Sequence, residues 1–225
     1  MSSSLREKKR EMLYSAIEHA AVALVLEHGY QNVTVDMICE ASMASQRTFF
    51  NYFGSKEAVI LGPPPPDPDP AIVSAFIHHP EGDVLSDLTR MMTRILDQHG
   101  DVDVQLWKDR RKIIRQDTDL MRAQAERIAA KDNQLTEMVK QRLEVKQHLK
   151  NDQSNDNFST TIGTDPDHPA ERAAADDLDR EARLIVNIWW GITRYAMHEY
   201  AEHPGRTPQQ ITDDLLTVLA RIKEA

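Results

Sequence analysis

Apolar residues near the N-terminus recur at helical spacing. The first run consists of Leu13, Ile17, Ala20, Ala21, Leu24 and Val25. This i, i+3/i+4, i+7 spacing puts them on one face of a helix. Gly29 follows the run and can adopt the left-handed conformation in which helices commonly end. The pattern predicts a helix from about Leu5 to His28.

Two shorter apolar runs flank the tight stretch Ser42-Met43-Ala44-Ser45, and a break at Gly54-Ser55 opens a third run. Thr34, Ser45 and Ser55 stand before these runs and are suitable N-cap residues. Two short helices joined by a tight turn are typical of a helix-turn-helix, whose second helix enters the major groove of DNA. The sequence therefore predicts such a motif within Thr34–Glu57, with its second helix from Gln46 to Tyr52.

A proline-rich segment follows, with six prolines in the eight residues 63–70. Prolines at this density cannot continue a helix and favour extended polyproline II. We favour a semi-rigid linker over a ligand for a proline-binding module. The segment divides the chain into a predicted DNA-binding domain at residues 1–62 and a second domain at residues 71–225.

Helical patterns dominate the remainder of the chain, which predicts an all-α protein. The predicted helices lie at about 84–100, 102–115, 117–150 and 170–202, with a last one opened by Thr207-Pro208. The stretch Asn151–Pro169 is polar and is predicted to be a long, mobile loop. Strand-like alternation is scarce along the whole sequence.

The formal net charge of −9 would repel DNA if it were spread evenly. Residues 1–57 hold six Lys/Arg and seven Asp/Glu, a net charge of −1, so the other −8 lies beyond them. The cations of this segment are Arg6, Lys8, Lys9, Arg10, Arg47 and Lys56. DNA binding would therefore depend on a local basic surface.

Other classes of function find little support in the sequence. The single cysteine, Cys39, excludes an intramolecular disulfide, suits a reducing cytoplasm and reads as a buried thiol rather than a redox sensor. No apolar run is long enough to span a membrane, and no secretion signal is evident. The nine histidines lack metal-ligand spacing, and no nucleotide-binding or catalytic motif occurs. We expect no enzyme activity, no metal and no cofactor.

Polar side chains that suit base recognition cluster on the predicted second helix. Gln46, Arg47, Thr48 and Asn51 lie at its start and along one side. Arginine can fork to guanine, and glutamine or asparagine can pair with adenine. The alternative is an ordinary solvated helix face. An N-terminal helix-turn-helix favours DNA contact.

Residues Met12 to Val59 resemble the DNA-binding domain of TetR-family transcriptional regulators. The matching stretches are Ala20-Ala21, Gly29-Tyr30, Val33-Thr34-Val35, Ile38-Cys39-Glu40-Ala41, Thr48-Phe49-Phe50-Asn51-Tyr52-Phe53 and Ser55-Lys56-Glu57. The resemblance implies that Thr34, Tyr52 and Lys56 hold the DNA backbone. Met43 stands where glycine is usual, and Phe50 where tyrosine is common, so Phe50 is not assigned a DNA contact.

The resemblance also implies a C-terminal domain that binds a small-molecule effector and forms a homodimer through its last two helices. Candidate pocket residues are Met91, Met92, Ile95, Trp107, Ile114, Met121, Met138 and Trp189. Candidate dimerisation residues are Ile185, Ile188, Ile192, Leu215, Leu219 and Ile222. The motif followed by prolines is similar to the subgroup of the mycofactocin-type regulator.

The function implied is a cytoplasmic repressor that a small apolar molecule releases from a palindromic operator on double-stranded DNA. The alternative is a helical protein-interaction adaptor in which the helix-turn-helix is only structural. The salt dependence of DNA binding distinguishes the two hypotheses, because DNA binding weakens steeply as the salt concentration rises.

Overall fold

The computed structural model describes residues 5–64, 67–79, 81–97, 103–154, 169–203 and 205–224. Within these ranges the chain is all-helical, as predicted. The helices are α1 (Leu5–His28), α2 (Val35–Ser42), α3 (Gln46–Phe53), α4 (Lys56–Leu61), α5 (Pro70–Ile77), α6 (Val84–Asp97), α7 (Val104–Gln116), α8 (Thr118–Ser154), α9 (Pro169–Glu202) and α10 (Pro208–Glu224).

Side-chain caps start the helices of the helix-turn-helix where the sequence predicted them. The hydroxyl of Thr34 accepts a hydrogen bond from the Met37 amide at 3.3 Å. Ser45 caps α3 through the Thr48 amide at 3.1 Å, and Ser55 caps α4 at 3.0 Å. Each cap satisfies an amide that has no partner within its own helix. These bonds fix where each short helix begins.

Helix α5 was not predicted, because its first residue belongs to the proline-rich segment. Pro70 occupies the first helical turn, where a missing N–H costs nothing. Asp69 precedes it as the N-cap and accepts a hydrogen bond from the Ala71 amide at 2.7 Å. The predicted linker is therefore shorter than the proline-rich segment, because Pro70 already belongs to a helix.

The turn between α2 and α3 places Met43 in the left-handed region, with φ 53° and ψ 31°. Among the described residues it is the one non-glycine with positive φ. The Met43 amide donates to Glu40 and the Ala44 amide donates to Cys39, which closes the end of α2. The side chain is 94% exposed, so no packing offsets the backbone strain.

The contacts of the chain group it into two compact units. The first comprises Met1–Pro65 and Val102–Ile128. This grouping differs from the predicted division at the prolines, because residues 102–128 pack with the N-terminal segment. This segment contributes Leu106, Ile113 and Leu120 to the buried apolar core of the unit. The other core residues include Ile17, Ile38, Phe49 and Val59.

A buried ion pair crosses the first unit. Arg110 on α7 donates to the carboxylate of Glu18 on α1 at 2.5 Å and to the carbonyl of Val59 at 3.1 Å. Both charged side chains are largely buried. Gly62, at φ 77°, lies against the guanidinium, and a Cβ there would stand 2.9 Å from it. Residue 62 therefore needs glycine for both its conformation and its space.

The second unit comprises Pro66–Asp101 and Ala129–Ala225. Its buried core includes Phe76, Leu88, Met92, Ile95, Leu135, Val139, Val186 and Trp189. Arg142 is fully buried beside this core, donates to Asp87 at 2.6 Å and lies 4.6 Å from the centre of the Phe76 ring. The Lys131 ammonium contacts the carboxylate of Asp67 at 2.8 Å.

The predicted loop at 151–169 is only partly open to comparison. Helix α8 extends to Ser154, four residues beyond the predicted end, and α9 begins at Pro169. Residues 155–168 lie outside the described residues.

Across the described part of the chain, no helix has both the length and the apolar composition needed to cross a membrane.

Met43→Gly is expected to raise the free energy of unfolding by about 0.5–1 kcal/mol, because glycine adopts the left-handed backbone without strain. Met43→Ile should lower it by about 1 kcal/mol, because a β-branched residue tolerates positive φ poorly. Urea unfolding of the two variants and the wild type checks this. Equal stability of the glycine and isoleucine variants would contradict the assignment of strain.

Arg110→Met should lower the free energy of unfolding by about 3–5 kcal/mol, because it leaves the Glu18 carboxylate buried without its partner. Arg122→Met is the matched control in the same unit. Its ion pair with Asp119 is largely exposed, so about 0.5 kcal/mol or less is expected. Denaturant unfolding measures both. Similar losses in the two variants would show that burial of the pair does not matter.

Candidate nucleic-acid interface

Helix α3 has one buried side and one exposed side. Phe49 is fully buried in the core of the first unit, and its ring lies 5.7 Å from that of Phe53. The opposite side exposes Gln46, Arg47, Phe50 and Asn51. The helix is therefore held by its aromatic side, and the exposed side presents the residues predicted to read DNA.

The four predicted polar residues of α3 do not have equal freedom. The amide of Gln46 donates to the carboxylate of Asp36 on α2. Thr48 is half-buried and shares a hydrogen bond of 2.8 Å with the cap hydroxyl of Ser45. Within the described part of the chain, the side chains of Arg47 and Asn51 make no hydrogen bond or ion pair. These two are the side chains on α3 that can bind a ligand without breaking an internal contact.

Tyr52 belongs to α3, and its ring packs against α1. Its ring is 5.8 Å from that of Tyr14, and the guanidinium of Arg10 lies 5.8 Å from its centre. Arg10 belongs to the N-terminal basic cluster, so this contact brings one cation of that cluster next to α3. Thr34 is exposed at the start of α2, where unpaired backbone amides favour an anion.

Lys56 has internal partners that the sequence did not reveal. Its ammonium donates to the carbonyls of Tyr30 at 2.7 Å and Val33 at 2.8 Å and lies 4.2 Å from the centre of the Tyr30 ring. Burial lowers the pKa of this lysine. The side chain thus ties the start of α4 to the turn after α1, and its contact with phosphate stays a prediction.

Two exposed apolar side chains at this surface were not among the predicted site residues. Phe50 is 49% exposed, and Met43 projects from the turn before α3. The sequence held a signal for Phe50, because it follows Arg47 by three residues and therefore shares its face of the helix. Cys39 is buried, as predicted, and burial raises the pKa of its thiol.

The eight candidate pocket residues do not form one cluster. Five of them belong to the core of the second unit, namely Met91, Met92, Ile95, Met138 and Trp189. Ile114 packs against the core of the first unit, Trp107 lies under the guanidinium of Arg111, and Met121 is exposed. Two clefts of the first unit, about 330 and 260 Å³, are lined by none of the eight.

The six candidate dimerisation residues also divide. Ile188 is 40% exposed and Ile222 is 66% exposed, whereas Ile185, Ile192 and Leu219 pack partly against the core of their own unit. Leu215 is half-buried. Other large apolar side chains exposed on these two helices are Leu184 and Tyr195 on α9 and Val218 on α10. Two of the six predicted residues therefore belong to the exposed apolar surface, and the other four are partly covered by their own unit.

Comparison with known proteins addresses the N-terminal segment. The family described as "Bacterial regulatory proteins, tetR family" matches residues 17–61. The HTH-type transcriptional regulator TcmR of Streptomyces glaucescens is 41% identical over 59 residues. That match covers 26% of this chain and 26% of TcmR, so it spans about a quarter of each protein.

Similar solved structures cover most of the chain at low identity. Salmonella enterica GusR is 18% identical over 92% of this chain and 95% of its own, with a TM-score of 0.37. The fatty acid degradation regulator FadR from Bacillus halodurans is 18% identical over 94% of this chain and 97% of its own, with a TM-score of 0.31. TM-scores this low carry no inference about shared function.

The match at residues 17–61 coincides with the segment that folds as a helix-turn-helix, with its caps, its buried Phe49 and its exposed α3 face. The similarity to the mycofactocin-type subgroup is not confirmed by these comparisons. The residues that match are those that build the helix-turn-helix, and this segment of the chain is similar to the tetR family of bacterial regulatory proteins.

Proposed function

We propose that this protein is a homodimeric repressor that binds a palindromic operator through α3 and is released by a small apolar molecule. One observation carries the proposal. Arg47 and Asn51 are exposed on a helix anchored by the buried Phe49, and among the described residues they make no hydrogen bond or ion pair. A helix that is fixed on one side and polar on the other suits insertion into the major groove.

Base recognition is proposed to rest mainly on Arg47 and Asn51. The guanidinium of Arg47 can bond O6 and N7 of guanine, and the amide of Asn51 can bond N6 and N7 of adenine. Gln46 is bound to Asp36, so it would have to exchange that contact for a base. We assign Thr34, Thr48, Tyr52 and Lys56 to the DNA backbone, where contacts set position rather than sequence.

Dimerisation is proposed through the exposed apolar surface of α9 and α10. Leu184, Ile188 and Tyr195 recur on α9 at spacings that keep them on one face, and Val218 and Ile222 do so on α10. The two helices pack against each other within the second unit. A two-fold dimer formed at this surface would carry two copies of α3, one for each half of the operator. We therefore expect the operator to be a palindrome, bound in the cytoplasm.

The effector is proposed to bind in the core of the second unit, where Met91, Met92, Met138 and Trp189 belong to one apolar cluster. Methionine side chains are flexible and polarisable, so they can rearrange around an apolar guest. Release from DNA requires only that the effector bind the low-affinity conformation better. A difference of about 1.4 kcal/mol changes operator affinity tenfold.

Arg47→Ala and Asn51→Ala test the assignment of α3. Loss of the side chain that reads a base should weaken operator binding by about 1–3 kcal/mol and change binding to a scrambled duplex far less. Binding-site selection with the wild type, followed by affinity measurements on both duplexes, checks this. Arg122→Ala, an exposed arginine of α8, is the control and should bind both duplexes as the wild type does.

A selection that enriches no sequence would contradict DNA recognition by this protein. An enriched operator bound equally well by the wild type, Arg47→Ala and Asn51→Ala would contradict the assignment of α3 as the reading helix. Affinities must be compared at one salt concentration, because phosphate contacts make all of them salt-dependent.

Ile188→Asp should convert the dimer to a monomer, because it places a charge in the middle of the proposed interface. Ile128→Asp is the matched control. The two isoleucines are 40% and 43% exposed, and Ile128 lies on α8, in the first unit. Sedimentation at micromolar concentration measures the change. A monomeric wild type, or a monomeric Ile128→Asp protein beside a dimeric Ile188→Asp protein, would contradict the interface.

A further inference from the structure

The exposed side of α3 carries one apolar side chain among its polar ones. Phe50 follows Arg47 by three residues and precedes Asn51, so the three share the face proposed to enter the major groove. About half of its surface is exposed. Single exposed apolar residues are common on protein surfaces, so the exposure itself says little. The position on this face is what distinguishes Phe50.

The Phe50 ring is held in a defined orientation. Its neighbour Phe49 is fully buried, and the two ring centres are 5.5 Å apart with their planes at 88°. This edge-to-face arrangement is a favourable geometry for two aromatic rings. One side of the Phe50 ring is therefore fixed against Phe49, and the other side is exposed.

The chemistry of phenylalanine limits what it can recognise in DNA. The ring has no hydrogen-bond donor or acceptor, so it cannot pair with polar base edges or bond a phosphate. Among the base-edge groups of the major groove, the C5-methyl of thymine is apolar, and phenylalanine is one of the side chains that contact it. The groove thus offers one chemical group that matches the exposed half of this ring.

We propose that Phe50 is a specificity-determining residue that packs against the C5-methyl group of a thymine, next to the base read by Arg47 or Asn51. This role rests on the proposed function, since it requires α3 to enter the major groove. Arg47 and Asn51 supply hydrogen bonds, and Phe50 supplies an apolar contact that they cannot make. The operator half-site should therefore contain one thymine whose methyl group matters.

Uracil in place of thymine tests the proposal by removing only the methyl group, while the base pair and its hydrogen-bonding edges remain. The experiment uses the full-length protein and the operator obtained by binding-site selection. Each thymine is replaced by uracil in turn, and the affinity is measured for the wild type. One position per half-site should show a loss of about fourfold, as expected for one buried methyl group. The other positions should show little change.

Variants of Phe50 then connect this position to the side chain. Phe50→Ala and Phe50→Gln should bind thymine and uracil operators equally, whereas Phe50→Leu, which keeps an apolar side chain, should retain part of the preference. Glutamine suits the helix and has similar length, so it provides a second measurement if the alanine variant folds poorly. Affinity for a scrambled duplex should stay at the wild-type level in every variant.

The outcomes distinguish a failure of the proposed function from a failure of the role proposed for Phe50. A selection that enriches no sequence contradicts the proposed function itself. An enriched operator with no uracil-sensitive position, or with the same uracil effect in wild type, Phe50→Ala and Phe50→Gln, overturns the role of Phe50 and leaves DNA recognition by α3 intact. Equal weakening of operator and scrambled duplex by Phe50→Ala would show that Phe50 does not contribute to sequence recognition, and this result would also overturn the proposal.

Discussion

The burial of Phe49 positions the exposed surface of α3. This ring is held in a core that α1, α2, α4 and α7 also line, and it fixes the rotation of an eight-residue helix about its own axis. A helix of two turns is marginal in water by itself, so it depends on this packing and on the Ser45 cap. Because Phe49 points inward, Arg47, Phe50 and Asn51 point outward. The proposed DNA contacts therefore follow from an apolar interaction on the opposite side of the helix.

Part of the positive charge in the first unit is bound inside the fold. Arg110 is buried against Glu18, and the ammonium of Lys56 is bonded to two backbone carbonyls. These cations contribute to the folding of the unit, so simple counts overstate the charge available to a DNA phosphate. Arg47 remains exposed on α3, and Arg10 lies beside Tyr52 at the adjoining edge. In a protein whose net charge is −9, DNA binding would depend on where such exposed cations lie rather than on the total charge.

The second unit combines an apolar core with a buried cation. Arg142 lies beside Phe76 and bonds Asp87, and removal of either charged partner would leave the other poorly compensated. The buried hydroxyls of Thr93 and Thr212 share a hydrogen bond of 2.8 Å that joins α6 to α10. The outer side of α9 and α10 is different, because large apolar residues remain exposed there. The exposed apolar surface is the feature that supports the proposed association through these two helices.

Local features of the sequence determined the helical class, the helix-turn-helix and its caps. Periodicity and capping act over three to four residues, so α1, α3 and the roles of Thr34, Ser45 and Ser55 could be read directly. Contacts between distant segments were decided only by the tertiary structure, since nothing in a local pattern specifies them. They include the packing of residues 102–128 with the N-terminal segment, the binding of Gln46 by Asp36 and the internal partners of Lys56. The candidate pocket and dimerisation sets divided for the same reason, because helical spacing shows which residues share a face but not which neighbour covers it.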